Sequence, residues 1–335
     1  GAAANLAQGA TNTLGGAIFR ISYRGDGTTF DAGAGNGNDI VIEFLQDTAN
    51  KLTWLGDQSP DWDLSGVLNW RNTNNIAFGF TNLDKVTFND SSLVTNVNLA
   101  ADVNPGTILV NSTNNYTFAG TGKLTGAMVI TKTNTGKLTI TTANDAAGAA
   151  IIEQGTIELG NGGTDGALPV SVTVNSNGTF AVNHSDDLYL GSVTGKGTLL
   201  HSGAGKLTLT NNLATLTGLL SNAAGIFQLG DGTTAGANVA KVGGMVHVVS
   251  GSTLQHSYYG SADVTVVNSM RGDGSAIFEF ANGGARSINL GTGVTNTAFT
   301  GTTTVRAFTR LNVSTATAAP AGPIIVEASG SPAYG

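Results

Sequence analysis

Gly136-Lys137-Leu138-Thr139-Ile140, then Gly155-Thr156-Ile157-Glu158-Leu159-Gly160, then Asn177-Gly178-Thr179-Phe180: the reading of these stretches decides the fold. In each, apolar residues alternate with Thr, Glu or Lys, and a glycine opens or closes the run. A period of two puts alternate side chains on opposite faces of a strand. The pattern extends outward to Ile40-Val41-Ile42-Glu43-Phe44, Val170-Ser171-Val172-Thr173-Val174, Lys206-Leu207-Thr208-Leu209-Thr210 and Val264-Thr265-Val266-Val267. These runs are rich in β-branched residues. Between them stand turn pairs such as Asp26-Gly27, Asp231-Gly232, Asp273-Gly274 and Asn282-Gly283, which suit positive φ. Apolar spacing of the helical kind is nearly absent.

The runs recur on a long period. Gly120-Thr121-Gly122-Lys123 returns as Gly195-Lys196-Gly197-Thr198 and again as Gly272-Asp273-Gly274-Ser275. Gly136-Lys137-Leu138-Thr139-Ile140 returns as Gly205-Lys206-Leu207-Thr208-Leu209 and, degenerately, as Ala285-Arg286-Ser287-Ile288-Asn289-Leu290. Gly155-Thr156-Ile157-Glu158-Leu159-Gly160 has a second copy in Gly225-Ile226-Phe227-Gln228-Leu229-Gly230. Asn177-Gly178-Thr179-Phe180 has its counterpart in Gly251-Ser252-Thr253-Leu254. The common period is roughly 70–77 residues, long enough for several strands per unit. Strands too short to bury a face alone gain a continuous core by stacking, the logic of a solenoid. The expected fold is all-β, a parallel β-helix. With coils of roughly 20–25 residues the chain would hold about 13–16 of them. A run of β-sandwiches ranks lower, because aromatic residues make up only 7% of the chain.

Composition narrows the function. The 335 residues carry 15 Lys+Arg against 22 Asp+Glu, a net charge of −7, which argues against a nucleic-acid partner. No cysteine is present, so disulfides, thiolate metal sites and cysteine nucleophiles are excluded. Runs of about 18 apolar residues are absent, so no membrane span is expected in this segment. The N-terminus shows no signal-like stretch, and the sequence reads as a segment of a longer chain.

Thr53-Trp54-Leu55-Gly56-Asp57, Asp61-Trp62-Asp63, Asn69-Trp70 and Val86-Thr87-Phe88-Asn89-Asp90 together resemble the opening of a passenger repeat in bacterial autotransporters. Tyr116 to Gly126 does so too. The stretch from Val129 to Gly160 resembles the autotransporter-associated β-strand repeat, and Leu200 to Gly230 matches it more loosely. Phe19-Arg20-Ile21-Ser22-Tyr23 with Gly37-Asn38-Asp39-Ile40-Val41 is similar to the end of a preceding unit. The resemblance covers most of residues 19–230. It implies a right-handed parallel β-helix exported to the bacterial cell surface, often adhesive or stalk-forming. On this reading residues 1–45 end a preceding β-helix repeat and 46–118 form a Trp-containing repeat start. Residues 119–194 and 195–270 form two β-strand repeats, and 271–335 a degenerate third that continues beyond the segment.

Two Arg-Gly-Asp triplets, Arg24-Gly25-Asp26 and Arg271-Gly272-Asp273, are candidates for cell attachment through integrins. Against that, Gly25-Asp26-Gly27-Thr28-Thr29 recurs without arginine at Gly230-Asp231-Gly232-Thr233-Thr234, as a turn device would. Trp54, Trp62 and Trp70, spaced by eight, could form an aromatic platform for sugars, but a packing cluster is favoured. No cofactor is expected. Calcium is the one candidate, because Ala34-Gly35-Asn36-Gly37-Asn38-Asp39-Ile40-Val41-Ile42 approximates a calcium-binding nonapeptide that lacks a tandem copy. His184, His201, His247 and His256 lack metal spacing. No nucleophile elbow or phosphate loop is present, and no carboxylate pair stands out for glycoside chemistry. The leading expectation is a non-enzymatic surface stalk or adhesin, with a host or neighbouring cell surface as partner. Self-association into a head-to-tail fibre and a polysaccharide-acting enzyme are the alternatives.

Overall fold

The computed structural model describes residues 7–14, 17–26, 29–31, 37, 39–47, 49–168, 171–210, 215–233, 244–281 and 286–327. Its centre is a parallel β-solenoid of about 10 turns. Successive coils bring Lys85, Thr107 and Val129 into one row, and then Ala149, Ser171 and Ser192. Later coils are longer, as between Phe227 and its neighbour in the next coil, Leu254.

Each coil contributes strands to separate walls. The first wall stacks Lys51–Trp54, Lys85–Asn89, Thr107–Asn111 and Val129–Thr133. The second stacks Asn96–Leu99, Tyr116–Ala119 and Lys137–Ile140, then later Thr198–His201, Leu220–Asn222, Val246–Val248 and Met270–Gly272. Two long strands, Ala149–Leu159 and Ser171–Val182, run through the corner and join these walls into one 17-stranded sheet. A third wall of seven strands runs from Leu188–Leu190 to Ile324–Val326. Val264–Val266, Arg286–Leu290 and Thr309–Val313 add a short three-stranded wall near the end.

Alternation explains the interior. In Val129–Thr133 the even-numbered residues point inward, and the register places Val86, Ile108, Ile130, Ala150 and Val172 in one column. All five are at most 4% exposed, and each fully buried Val or Ile side chain is worth about 1.5–3 kcal/mol. Outward positions carry the hydroxyl ladders expected of the neutral composition. Thr173 and Thr194 on adjacent coils hydrogen-bond through their hydroxyls at 3.3 Å. Ion pairs between coils, such as Lys137–Glu158 at 2.6 Å and Arg306–Glu327 at 2.6 Å, sit at the surface. Such pairs are worth at most about 1 kcal/mol each and are screened by salt. Melting temperature is therefore expected to move by less than about 3 °C between low and high salt; calorimetry across a salt series checks this, and a larger shift would show that charge carries more of the stability.

The coil count is lower than the expected 13–16, and the reason lies at the N-terminal side. Thr11–Leu14, Ala17–Gly25 and Asp39–Asp47 form a separate antiparallel three-stranded sheet and no parallel coil. Lys51–Trp54 then pairs antiparallel with Trp70–Asn72, which pairs antiparallel with Ala77–Phe78. The turn between the last two is built by Asn72, whose Oδ1 accepts the backbone N–H of Asn74 and Ile76, and by Asn75 at φ 60°. Lys51–Trp54 and Asp61–Trp62 already pair parallel with the next coil, and coiling without antiparallel excursions starts with Lys85–Asn89.

The register also explains why the sequence period is longer than three coils. Leu138 stacks on Ile157, Ile157 on Phe180 and Phe180 on Leu199, all in the second wall. Leu207, the sequence counterpart of Leu138, lies past Leu199 in the same coil and stands in the third wall. Phe227 and Leu254 stack there in turn. Each sequence repeat thus spans three coils plus the step to the next wall, and the recurring elements do not occupy equivalent positions.

The Gly-x-Gly elements are corners. Gly120, Gly195 and Gly272 adopt φ of +115°, +113° and +104°, which side chains rarely adopt. The second glycine of each pair lies against the coil below: a Cβ on Gly197 would come 2.3 Å from the Asn175 carbonyl oxygen.

Candidate functional site

The three tryptophans are interior. Trp54 and Trp62 are fully buried and Trp70 is 1% exposed. Trp70 meets Trp54 edge-on at 4.9 Å and Trp62 at 5.3 Å, and Phe80, Phe88 and Phe118 close the cluster. They do not form an aromatic platform, because no ring face is left for a sugar; their rings plug the first coils, where edge-to-face packing is favourable. Asn69, also buried, holds the loop before them, with its side chain bonded to the amides of Gln58 and Ser59 and to the Asp61 carbonyl.

Neither Arg-Gly-Asp triplet is displayed on a free loop tip. Arg24 is the last residue but one of the strand Ala17–Gly25 and pairs with Asp31 at 2.7 Å, while Gly25 is buried against Val41. Asp26 accepts the backbone N–H of Thr29 at 2.6 Å. Arg271 lies within the wall strand Met270–Gly272, paired with His247, and the backbone at Gly272 abuts the Val248 carbonyl. Arg271 and Asp273 are exposed on either side of that corner. Residues 34–36 and 38 of the calcium-like nonapeptide lie outside those described, and its last residues, Asp39 to Ile42, lie in an antiparallel strand. Among the described residues no three His, Asp or Glu side chains converge as a metal site would require.

The histidines serve the stack. His184 sits 3.1 Å from Asp186, and His201 bonds Asn222 on the next coil at 3.0 Å. His247 is a half-buried wall residue. His256 stacks on Phe278 with ring centroids 4.6 Å apart and contacts the Tyr258 hydroxyl at 2.9 Å. Burial disfavours its charged form and pushes its pKa down to about 3. The unfolded chain takes up this proton near pH 6.5 and the folded chain does not until about 3. Stability should therefore fall as pH drops through that window, by up to about 1.4 kcal/mol per pH unit from this group. His256→Gln should flatten the dependence between pH 6 and 4; equal acid sensitivity in both proteins would place the effect elsewhere.

Lys132 was not singled out by sequence, yet it is fully buried. It occupies the column Phe88, Val110, Lys132, Ile152, Val174, and its ammonium donates to the Thr133 and Asn134 carbonyls at 2.6 and 2.8 Å. Burial lowers its pKa to about 8, against a small raising influence from Asp90. The signal was in the sequence: Ile130 and Lys132 share parity in an alternating strand, so both face inward. Its two carbonyl partners make it a corner clasp, not a free nucleophile.

The described residues thus build walls, corners and an aromatic plug. Comparison with known proteins points the same way. The chain is 30% identical over 164 residues to the adhesin BmaC autotransporter of Brucella suis biovar 1 (strain 1330). The chain fits an autotransporter passenger domain. The matched region covers 48% of this chain and 4% of that protein, so the chain spans only a small part of its relative's length. No family model matches the segment, and no solved structure matches it.

Proposed function

We propose that the passenger segment is a non-enzymatic stalk of a surface-exported adhesin, holding binding surfaces away from the bacterium and contributing to attachment to a host or neighbouring cell. The similarity to an adhesin carries this reading, and a continuous interior through about 10 turns supports it. A solenoid transmits load along stacked ladders, which suits a spacer. The reading does not rest on the Arg-Gly-Asp triplets. Display of the segment on a non-adherent bacterium is expected to raise attachment to cultured cells over a display control; attachment equal to the control would refute the adhesive part.

A further inference from the structure

The antiparallel pair Lys51–Trp54 and Trp70–Asn72, which caps the first coils, borders an open polar cleft of about 380 Å³, lined by Thr53, Arg71, Asn72, Thr73, Asn75, Asn89 and Ser91, with Trp54 and Leu55 behind them. That volume lies in the range of small-ligand sites. Both flanking asparagines are fixed in advance by local hydrogen bonds. Asn72 Oδ1 is taken by the amides of Asn74 and Ile76, and Asn89 Oδ1 by the amide and hydroxyl of Ser91. The side-chain NH₂ groups of both asparagines are therefore the donors they offer a ligand. Thr53 and Thr73 add hydroxyls that can donate or accept, and the Ser91 hydroxyl, whose proton goes to Asn89, can accept. Arg71 is a neutralised support: it pairs with Asp57 and donates to the Leu68 and Trp70 carbonyls.

We propose that this cleft binds a neutral saccharide. Oriented amide donors beside hydroxyls complement vicinal sugar hydroxyls, which both donate and accept. An anionic ligand is disfavoured, because the one cation lining the cleft is already paired and the chain carries a net charge of −7. All three tryptophans are buried, so no ring stacks on the sugar and affinity falls in the millimolar range of roughly 1 mM or weaker. The proposal deepens the adhesive reading and rests on it.

The test is an NMR titration of the full 335-residue chain with maltose, lactose and chitobiose, and with sialyllactose as the charged control. Saturable shifts at Asn72, Asn75 and Asn89 with at least one neutral sugar are expected, with sialyllactose binding no tighter than lactose. Asn72→Ala with Asn89→Ala should weaken binding about tenfold or more. Thr53→Tyr, which fills the cleft from an outward strand position, should abolish binding with the melting temperature held. No saturation by any neutral sugar up to about 50 mM, or saturation unaffected by Thr53→Tyr, overturns the proposal. Attachment of displaying cells is measured alongside: attachment that persists in Thr53→Tyr sinks the cleft and leaves the adhesive reading standing, whereas loss of attachment by the wild-type segment sinks that reading itself.

Discussion

Replacing Trp62 by alanine is expected to destabilise the N-terminal coils by about 3–5 kcal/mol. The indole is fully buried and packs within 5.9 Å of Trp70, Phe80, Phe88 and Phe118. No neighbouring group fills that volume without moving two coils. The loss is one of packing alone, because the Trp62 indole N–H has no hydrogen-bond partner among the described residues. Trp62→Phe keeps most of the ring contacts and removes a buried unsatisfied donor, so it should cost less than about 1.5 kcal/mol. In a solenoid each coil leans on its neighbours, so the damage should be local first. Hydrogen exchange should show Lys85–Asn89 and Asn96–Leu99 losing protection before Thr253–Tyr258. Equal costs for alanine and phenylalanine would show that the ring stack is not what holds the cap.

The second large effect is at the corner glycine Gly197. Alanine there would place a Cβ 2.3 Å from the Asn175 oxygen and 2.5 Å from the Gly178 oxygen. Both obstacles are backbone of the coil beneath, so relief requires two coils to part, at a cost of about 3 kcal/mol. Gly163 is the control. Its nearest neighbour to an added Cβ is the flexible Asn161 side chain at 3.6 Å, and its φ is not positive. Gly163→Ala should lie within about 0.5 kcal/mol of the wild type. Urea denaturation of the two variants distinguishes a tight coil-to-coil corner from glycine enrichment without structural cause.

The strand alternation and the glycine corners were legible because both are local. Leu138 and Ile140 face inward whatever the coils do, and a Gly-x-Gly corner needs only its own backbone and the coil beneath. Coil count was not legible. Dividing chain length by coil length assigns Thr11–Phe80 to coils, but strand pairing direction depends on turns such as Asn72–Ile76, which redirect the chain. Wall identity was lost for a similar reason. Leu138 and Leu207 sit in nearly identical sequences, and only the register shows that they belong to different walls. At the candidate site, the tryptophan spacing of eight admitted a platform as well as the favoured packing cluster, and burial places all three rings inside. The cap cleft left no sequence signature, since its Thr, Asn and Ser residues are scattered from 53 to 91 among many like them.

The parallel in-register stack is open to a clean crosslinking test, because the chain has no cysteine. Thr173 and Thr194 face each other outward on adjacent coils, with Ile151 below Thr173 and Thr131 below Ile151. Adjacent strands lie about 4.8 Å apart, within the reach of a disulfide, whereas three coils span about 14 Å. Mild oxidation of Thr173→Cys with Thr194→Cys should give a near-complete intramolecular disulfide, and Thr131→Cys with Thr194→Cys should give none. Failure of the first pair, or equal crosslinking of both, would contradict the solenoid.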